Sequence, residues 1–424
     1  MPKETRNALW LVTVLALVPS LAVAWSIFWP IVNGVDRYGY VVGRDFANFW
    51  FASQLAAQGR LAELYDLFAY HAALKAALAP TEPFMNFSYL PNVLPLLLPL
   101  SLLPYAVALT LWCTLGLVAY VLAVTGFPVA PGRLHLVPML LLSPIVILVT
   151  CFAQSSLLLA ALFVGAFRLL PSRPRLVGVL IGLLSFKPHI AILLPFVLAV
   201  RSEWAAMAAA AATAAGFALL SVLLFGTAPW HDYVAYTLPY QVRLLAEPGG
   251  FVWTMMISPY AFLCQLGVPP ALALKAHAVL AVAVAVAALA VVRVTCDSAL
   301  TAAVVGFAAV LIPPYALTYD LAIPAAGLMW WLSEDKRPLR LWELALVGAF
   351  WVLPFVLMAL NVLHVPVMPP IIVALFWWLV TLALGRAGEF TRVRAVVVRL
   401  TRQAGRPWRS TAVPSASWKS FGTG

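Results

Sequence analysis

Apolar runs of about 20 residues, each bounded by proline, glycine or charge, recur along nearly the whole chain, with polar positions gathered in the gaps between them. A helix needs about 20 such residues to cross a bilayer core roughly 30 Å thick. Lipid offers the backbone no hydrogen-bond partner outside its own segment, so helices are the default. The pattern predicts an all-α polytopic membrane protein with about twelve transmembrane helices, near 8–29, 104–126, 134–150, 155–170, 174–187, 188–200, 204–225, 270–293, 298–313, 317–333, 341–360 and 366–385. Several runs are shorter than about 17 residues, which implies broken or tilted helices or locally thin membrane. The stretch 91–103, apolar but interrupted by Pro91, Pro95 and Pro99, reads as interfacial or re-entrant.

Composition sharpens this picture. Of 424 residues, 64% are hydrophobic and 10% charged, against roughly 25% charged in a soluble domain. The net charge of +11 does not point to nucleic acid, because the basic residues sit in short loops and the C-terminal tail. With the N-terminus inside and twelve crossings, the inner set is Lys3, Arg6, Arg133, Arg168, Arg173, Arg175, Arg201, Arg293, Lys336, Arg337, Arg340 and the basic residues from Arg386 to Lys419, 19 of 26, as the positive-inside rule predicts. Both termini are then cytoplasmic, in a plasma (inner) membrane. Two long loops, 31–90 and 226–269, and short turns at 151–155, 187–189, 313–320 and 361–366 face outward. The chain divides into an integral membrane domain, 1–385, and a basic, flexible tail, 386–424, drawn to anionic headgroups. Lys3 and Arg6 precede an apolar stretch that ends in Trp25, Phe28, Trp29 and Pro30 without a small-residue cleavage site, so it reads as an uncleaved first span. Cys113, Cys151, Cys264 and Cys296 lie far apart, in no metal or disulfide spacing.

Chemistry-bearing residues gather on the outward side. In the first loop, Gly43-Arg44-Asp45-Phe46-Ala47-Asn48-Phe49-Trp50 is followed by Leu64-Tyr65-Asp66. Asp45 has two readings: an N-cap of the following helix, or a general base presented at the membrane surface. Phe46, Phe49, Trp50 and Ser53 share a helical face that suits a helix lying in the interface with its aromatics in lipid. Lys187, in Ser185-Phe186-Lys187-Pro188-His189, lies between two apolar runs, where a charge is costly unless it meets water, a partner or an anion. It either snorkels or holds a phosphate. His189 is a helix-end residue or part of the same phosphate site, and Arg44 a salt-bridge partner or phosphate ligand. Tyr89, Gln154, Tyr319, Asp320 and Arg243 complete the candidates, with helix capping the plainer role for Asp320 and a solvated surface for Arg243 and Glu247. Asn86-Phe87-Ser88 matches a glycosylation acceptor. No Gly-rich phosphate loop, Ser/His/Asp motif or His/Cys cluster is legible.

Taken in order, Asp45-Phe46-x-x-Phe49-Trp50, Leu64-Tyr65-Asp66, Ser88-Tyr89-x-Pro91, the string from Gly182 to His189, and Tyr319-Asp320-Leu321 resemble glycosyltransferase family 87. The resemblance implies a GT-C-like fold and an enzyme that uses a polyprenyl-phosphate sugar, mannose among the family's sugars, to modify a lipid or glycan acceptor. It also implies that Asp45 is the catalytic base and that Lys187 lies on the donor side. Tyr89-Leu90-Pro91 and Ala153-Gln154-Ser155 depart from the family's frequent Tyr-Pro-Pro and Gly-Gln-Asn. A single base is enough for an inverting transfer, because phosphate leaves without an acid. No nucleotide site or cofactor is required, and convergence of Asp45, Asp66 and Asp320 on a divalent metal stays open. Two other classes compete. A transporter or flippase would show internal repeats and mid-membrane polar residues, whereas no repeat is convincing here and the acidic residues fall in loops or at span ends. A membrane scaffold would leave Asp45 and Lys187 as interface anchors.

Overall fold

The computed structural model describes residues 1–403, and over 389–403 the helical backbone alone. Its regular structure is helical apart from three isolated bridges. Five helices are long and apolar enough to cross a membrane: Lys3–Phe28, Tyr105–Thr125, Trp204–Phe225, Pro270–Val294 and Met368–Gly388. The pair Pro131–Leu141 and Pro144–Phe152, bent by 57°, makes a sixth if counted as one span. The chain is therefore an integral, multi-pass membrane protein. Helices lie at all the expected span positions, but the expected twelve crossings are not reached on length. Ser156–Leu169, Pro174–Phe186, Pro188–Val200, Ser298–Leu311 and Leu341–Phe355 stop short. Proline accounts for several of these breaks, since Pro144, Pro174 and Pro188 each occupy a first helical turn, where the missing N–H costs nothing but the preceding helix cannot continue.

Two of the short helices form the centre of the bundle. Every residue of Ser298–Leu311 after the first is buried, as is nearly all of Ala322–Glu334. A helix apolar all round is one surrounded on all sides, here by protein. The two cross closely because Gly327 lets backbones meet; a Cβ there would lie 2.9 Å from the Ala302 carbonyl oxygen. Gly178 and Gly182, four apart on Pro174–Leu183, play the same part against Trp204–Phe225. A Cβ on Gly178 would fall 2.2 Å from the Ala206 carbonyl oxygen, and one on Gly182 would fall 2.5 Å from Thr213 Cβ. Close approach through small residues drives helix association where lipid supplies no hydrophobic force. Gly178→Ala is expected to lower the melting temperature of the detergent-solubilised protein, at a cost of about 1–3 kcal/mol. Gly216→Ala, in open space on the facing helix, should be neutral or slightly stabilising.

The first long loop folds onto the bundle. Its helix Asp45–Ala57 buries Phe46 and Phe49 completely, against Tyr105 and Trp112 of Tyr105–Thr125 and against Tyr89. Trp50 donates its indole N–H to the Leu103 carbonyl (3.0 Å). The aromatics expected in lipid are thus packed in protein, because the short broken helices of 91–102 lie across this helix. The last helix runs unbroken from Met368 to Gln403, so the boundary expected after residue 385 falls inside a helix. The rest of the expected tail lies outside the described residues.

Candidate active site

A cavity of about 480 Å³ opens where the two long loops meet the broken helices, and Asp45, Tyr89, Gln154, Lys187, His189 and Tyr319 all line it. Asp45 is the first residue of its helix, yet its side chain caps nothing. The carboxylate instead accepts a hydrogen bond from Gln154 Nε2 at Oδ2 (2.9 Å). Its setting deep in the cavity strips away water and raises its pKa to about 6, against the opposing pulls of the Gln154 hydrogen bond and the Lys187 and Arg44 charges. A carboxyl poised near neutrality suits a general base.

Gln154 is held from both ends of its amide. Its Oε1 accepts from the Ser155 backbone N–H (2.8 Å), the Ser155 hydroxyl (3.1 Å) and the Tyr89 hydroxyl (3.0 Å). A backbone N–H can only donate, so the amide cannot be turned over, and its NH₂ must face Asp45. The turn that delivers Gln154 is strained. Ala153 ends the helix Pro144–Phe152 in the left-handed region at φ 48°, which costs a non-glycine residue roughly 1–2 kcal/mol. Trp112 Nε1 fastens that turn by donating to the Ala153 carbonyl (3.0 Å). Alanine thus stands at a position whose backbone favours the glycine frequent in the resembling family.

Lys187 sits in the break between Leu184–Phe186 and Pro188–Ala191. It does not snorkel; its side chain is 7% exposed, and Nζ donates to Asp320 Oδ1 at 2.5 Å, with the Tyr319 ring 4.7 Å away. Asp320, 2% exposed, combines the expected cap with this ion pair, because its Oδ2 accepts the Leu317 N–H (3.0 Å) at the head of Thr318–Leu321. That head is tied to residues 255–257 by Thr318 N–H to the Met255 carbonyl (2.8 Å) and Ile257 N–H to the Ala316 carbonyl (3.0 Å). His189 lines the cavity with its Nε2 buried and unpartnered.

Arg44 and Arg243 are placed elsewhere. Arg44 is 3% exposed and absent from the cavity lining. Its Nε (2.8 Å) and Nη2 (2.6 Å) both donate to Asp36 Oδ2, and its guanidinium lies over the rings of Phe28 and Tyr40 at 4.5 and 4.6 Å. Of its two readings, the structure realises the salt bridge. Arg243 is exposed and absent from the cavity lining, although its neighbours Gln241, Val242 and Leu244 belong to it. Asp66 caps Leu67–Ala77 through the Phe68 and Ala69 N–H groups and does not join Asp45 and Asp320. Among the described residues, no three His, Cys, Asp or Glu side chains form a group able to hold a metal ion. Asn86 lines the cavity, its Nδ2 donating to the Ser88 hydroxyl (2.8 Å).

Sequence reasoning missed Tyr40, Asn48, Gln241 and Tyr315, which also line the cavity. Asn48 was in view, three residues after Asp45 and so on its face of the helix. Tyr315 stands in the turn before Tyr319, and nothing in its spacing marks it. Gln241 Nε2 donates to the Ser88 carbonyl (3.0 Å), joining the second loop to the first.

No curated protein and no solved structure matches the chain. The profile of glycosyltransferase family 87 matches residues 87–314. That stretch holds Tyr89, Gln154, Lys187 and His189, while Asp45 precedes it and Asp320 follows it. The match spans more than half of the chain, and with it this membrane protein belongs to glycosyltransferase family 87.

Proposed function

We propose that this glycosyltransferase moves a hexose, mannose by its family resemblance, from a polyprenyl-phosphate sugar to a lipid or glycan acceptor on the extracytoplasmic face of the membrane. One observation carries the reading: a carboxyl with a pKa near neutrality and a buried lysine line the same cavity, close enough for the cation to lower the carboxyl's pKa. The acceptor hydroxyl attacks the anomeric carbon as Asp45 takes its proton, and the carbon–oxygen bond to phosphate breaks on the opposite side, inverting the centre. Lys187 has three donor hydrogens. Asp320 engages one, and the others serve the phosphate oxygens, where negative charge grows as the bond breaks.

The test is transfer of radiolabelled sugar from polyprenyl-phosphate-mannose and related donors to membrane lipid and glycan acceptors by the purified protein, followed across pH. Asp45 acts only when deprotonated, so turnover should fall as pH drops through about 6. Absence of transfer from any polyprenyl-phosphate sugar would overturn the proposal. Transfer whose rate is flat through that range would remove Asp45 as the base.

A further inference from the structure

Gln154 has the residue type and place of a substrate contact, but its oxygen and one N–H of its amide are already engaged by the protein. It is 5% exposed. Its oxygen accepts three donors, from Tyr89 and twice from Ser155, and its nitrogen is aimed at Asp45 Oδ2. We infer that Gln154 is a positioning residue: its amide, locked by the Ser155 backbone N–H, pins one oxygen of Asp45 and leaves Oδ1 as the atom that receives the acceptor's proton. This inference rests on the reading of Asp45 as base.

The supporting geometry lies on both sides of the amide. Tyr89 cannot drift from Gln154, because its ring is packed on Phe49 (4.8 Å) and Phe87 (5.6 Å) and its carbonyl accepts the Tyr65 hydroxyl (2.9 Å). The strained Ala153 turn and its Trp112 hydrogen bond set the direction in which Gln154 leaves the backbone. Asp45 Oδ1 has no hydrogen bond to any described group and is not among the buried unpartnered atoms, so it is open to the cavity. The Gln154 N–H also favours the charged form of Asp45. A carboxyl held by one oxygen presents the other in a fixed direction, which is the condition for proton transfer at hydrogen-bond reach.

Gln154→Glu tests this with little change of shape. The acceptors for Tyr89 and Ser155 remain, but a second carboxyl replaces the NH₂ 2.9 Å from Asp45. Two carboxyls at that distance share one proton and ionise with difficulty. The acid limb of the kcat profile is expected to move up by at least about one pH unit, with the acceptor KM unchanged within about twofold. Gln154→Leu removes the donor without adding charge and should shift the limb in the same direction by less. Should the leucine variant fail to fold, the glutamate variant decides alone. An unmoved limb with an acceptor KM raised tenfold or more would make Gln154 a substrate contact, and an unmoved limb with unchanged constants would leave it without a role; either overturns the inference. Asp45→Asn, assayed alongside, separates the two questions: an active Asp45→Asn defeats the base, whereas an inactive one with an unmoved Gln154→Glu limb defeats only the positioning.

Discussion

Replacing Asp45 by asparagine is expected to cut sugar transfer by about 10²–10⁴-fold, the range a positioned general base supplies, while donor binding stays intact. The substitution spares the surroundings. Asparagine keeps an oxygen to accept from Gln154 Nε2, and the aromatic packing of Phe46 and Phe49 beneath it is untouched. Stability should move in the opposite direction. A carboxyl whose folded pKa is raised costs the native state free energy once pH exceeds its unfolded value, because the buried setting resists the ionisation that the unfolded chain allows. The folded value here is about 6, so the cost is fully present above that pH and disappears in acid. Asp45→Asn should therefore melt at an equal or higher temperature than wild type in neutral buffer, with the difference closing below the normal carboxylate range. Loss of activity without loss of stability is the signature of a catalytic carboxyl kept at structural expense. Single-turnover transfer, donor binding and thermal denaturation at two pH values give the three readings, and undiminished transfer would end Asp45's candidacy.

The second large effect concerns Lys187 and Asp320. Both side chains are almost wholly buried and paired at 2.5 Å, so removing one partner strands the other. Lys187→Met or Asp320→Asn alone should destabilise the fold by about 3–5 kcal/mol. The double variant Lys187→Met/Asp320→Asn should recover most of that loss, because methionine fills the lysine's volume and asparagine still accepts the Leu317 N–H. The double-mutant cycle isolates the coupling. Its functional arm is more telling, since a folded double variant with no cation in the cavity should bind a polyprenyl-phosphate donor at least tenfold more weakly, about 1.4 kcal/mol. Wild-type donor affinity in that variant would assign Lys187 to structure alone.

What the linear chain discloses and what it hides divide along distance. Asp45 was visible because a carboxylate opening an aromatic-rich helix of the first outward loop can serve as a cap or as a base, and the resemblance implies the base. Lys187 was visible because a charge between two apolar runs demands a partner. The partner itself was not: Asp320 is 133 residues away and Gln154 is 109 from Asp45, and no local pattern joins them. Helical spacing correctly grouped Phe46, Phe49 and Trp50 on one face but carried no information about what that face meets, so lipid was expected where the broken 91–102 segment lies. The same limit governs the spans. Hydropathy located each helix, yet the burial of Ser298–Leu311 and Ala322–Glu334 among other helices depends on packing, and an apolar run reads alike whether it faces lipid or protein. Arg44 shows the limit for charges, since a salt bridge was one of its two readings, but nothing local named Asp36, eight residues back, as the partner its guanidinium turns to.

That turn of Arg44 ties chemistry to membrane anchorage. The guanidinium rests on Phe28, the last residue of the first long apolar helix, and Asp45 follows Arg44 directly in the chain. The carboxylate proposed as the base is thereby indexed to the end of that helix, much as a tool is set against a stop. In the proposed reaction the sugar arrives on a lipid tether at a height fixed by its own anchor, so the helix that holds the protein in the membrane would also gauge the level at which the two can meet.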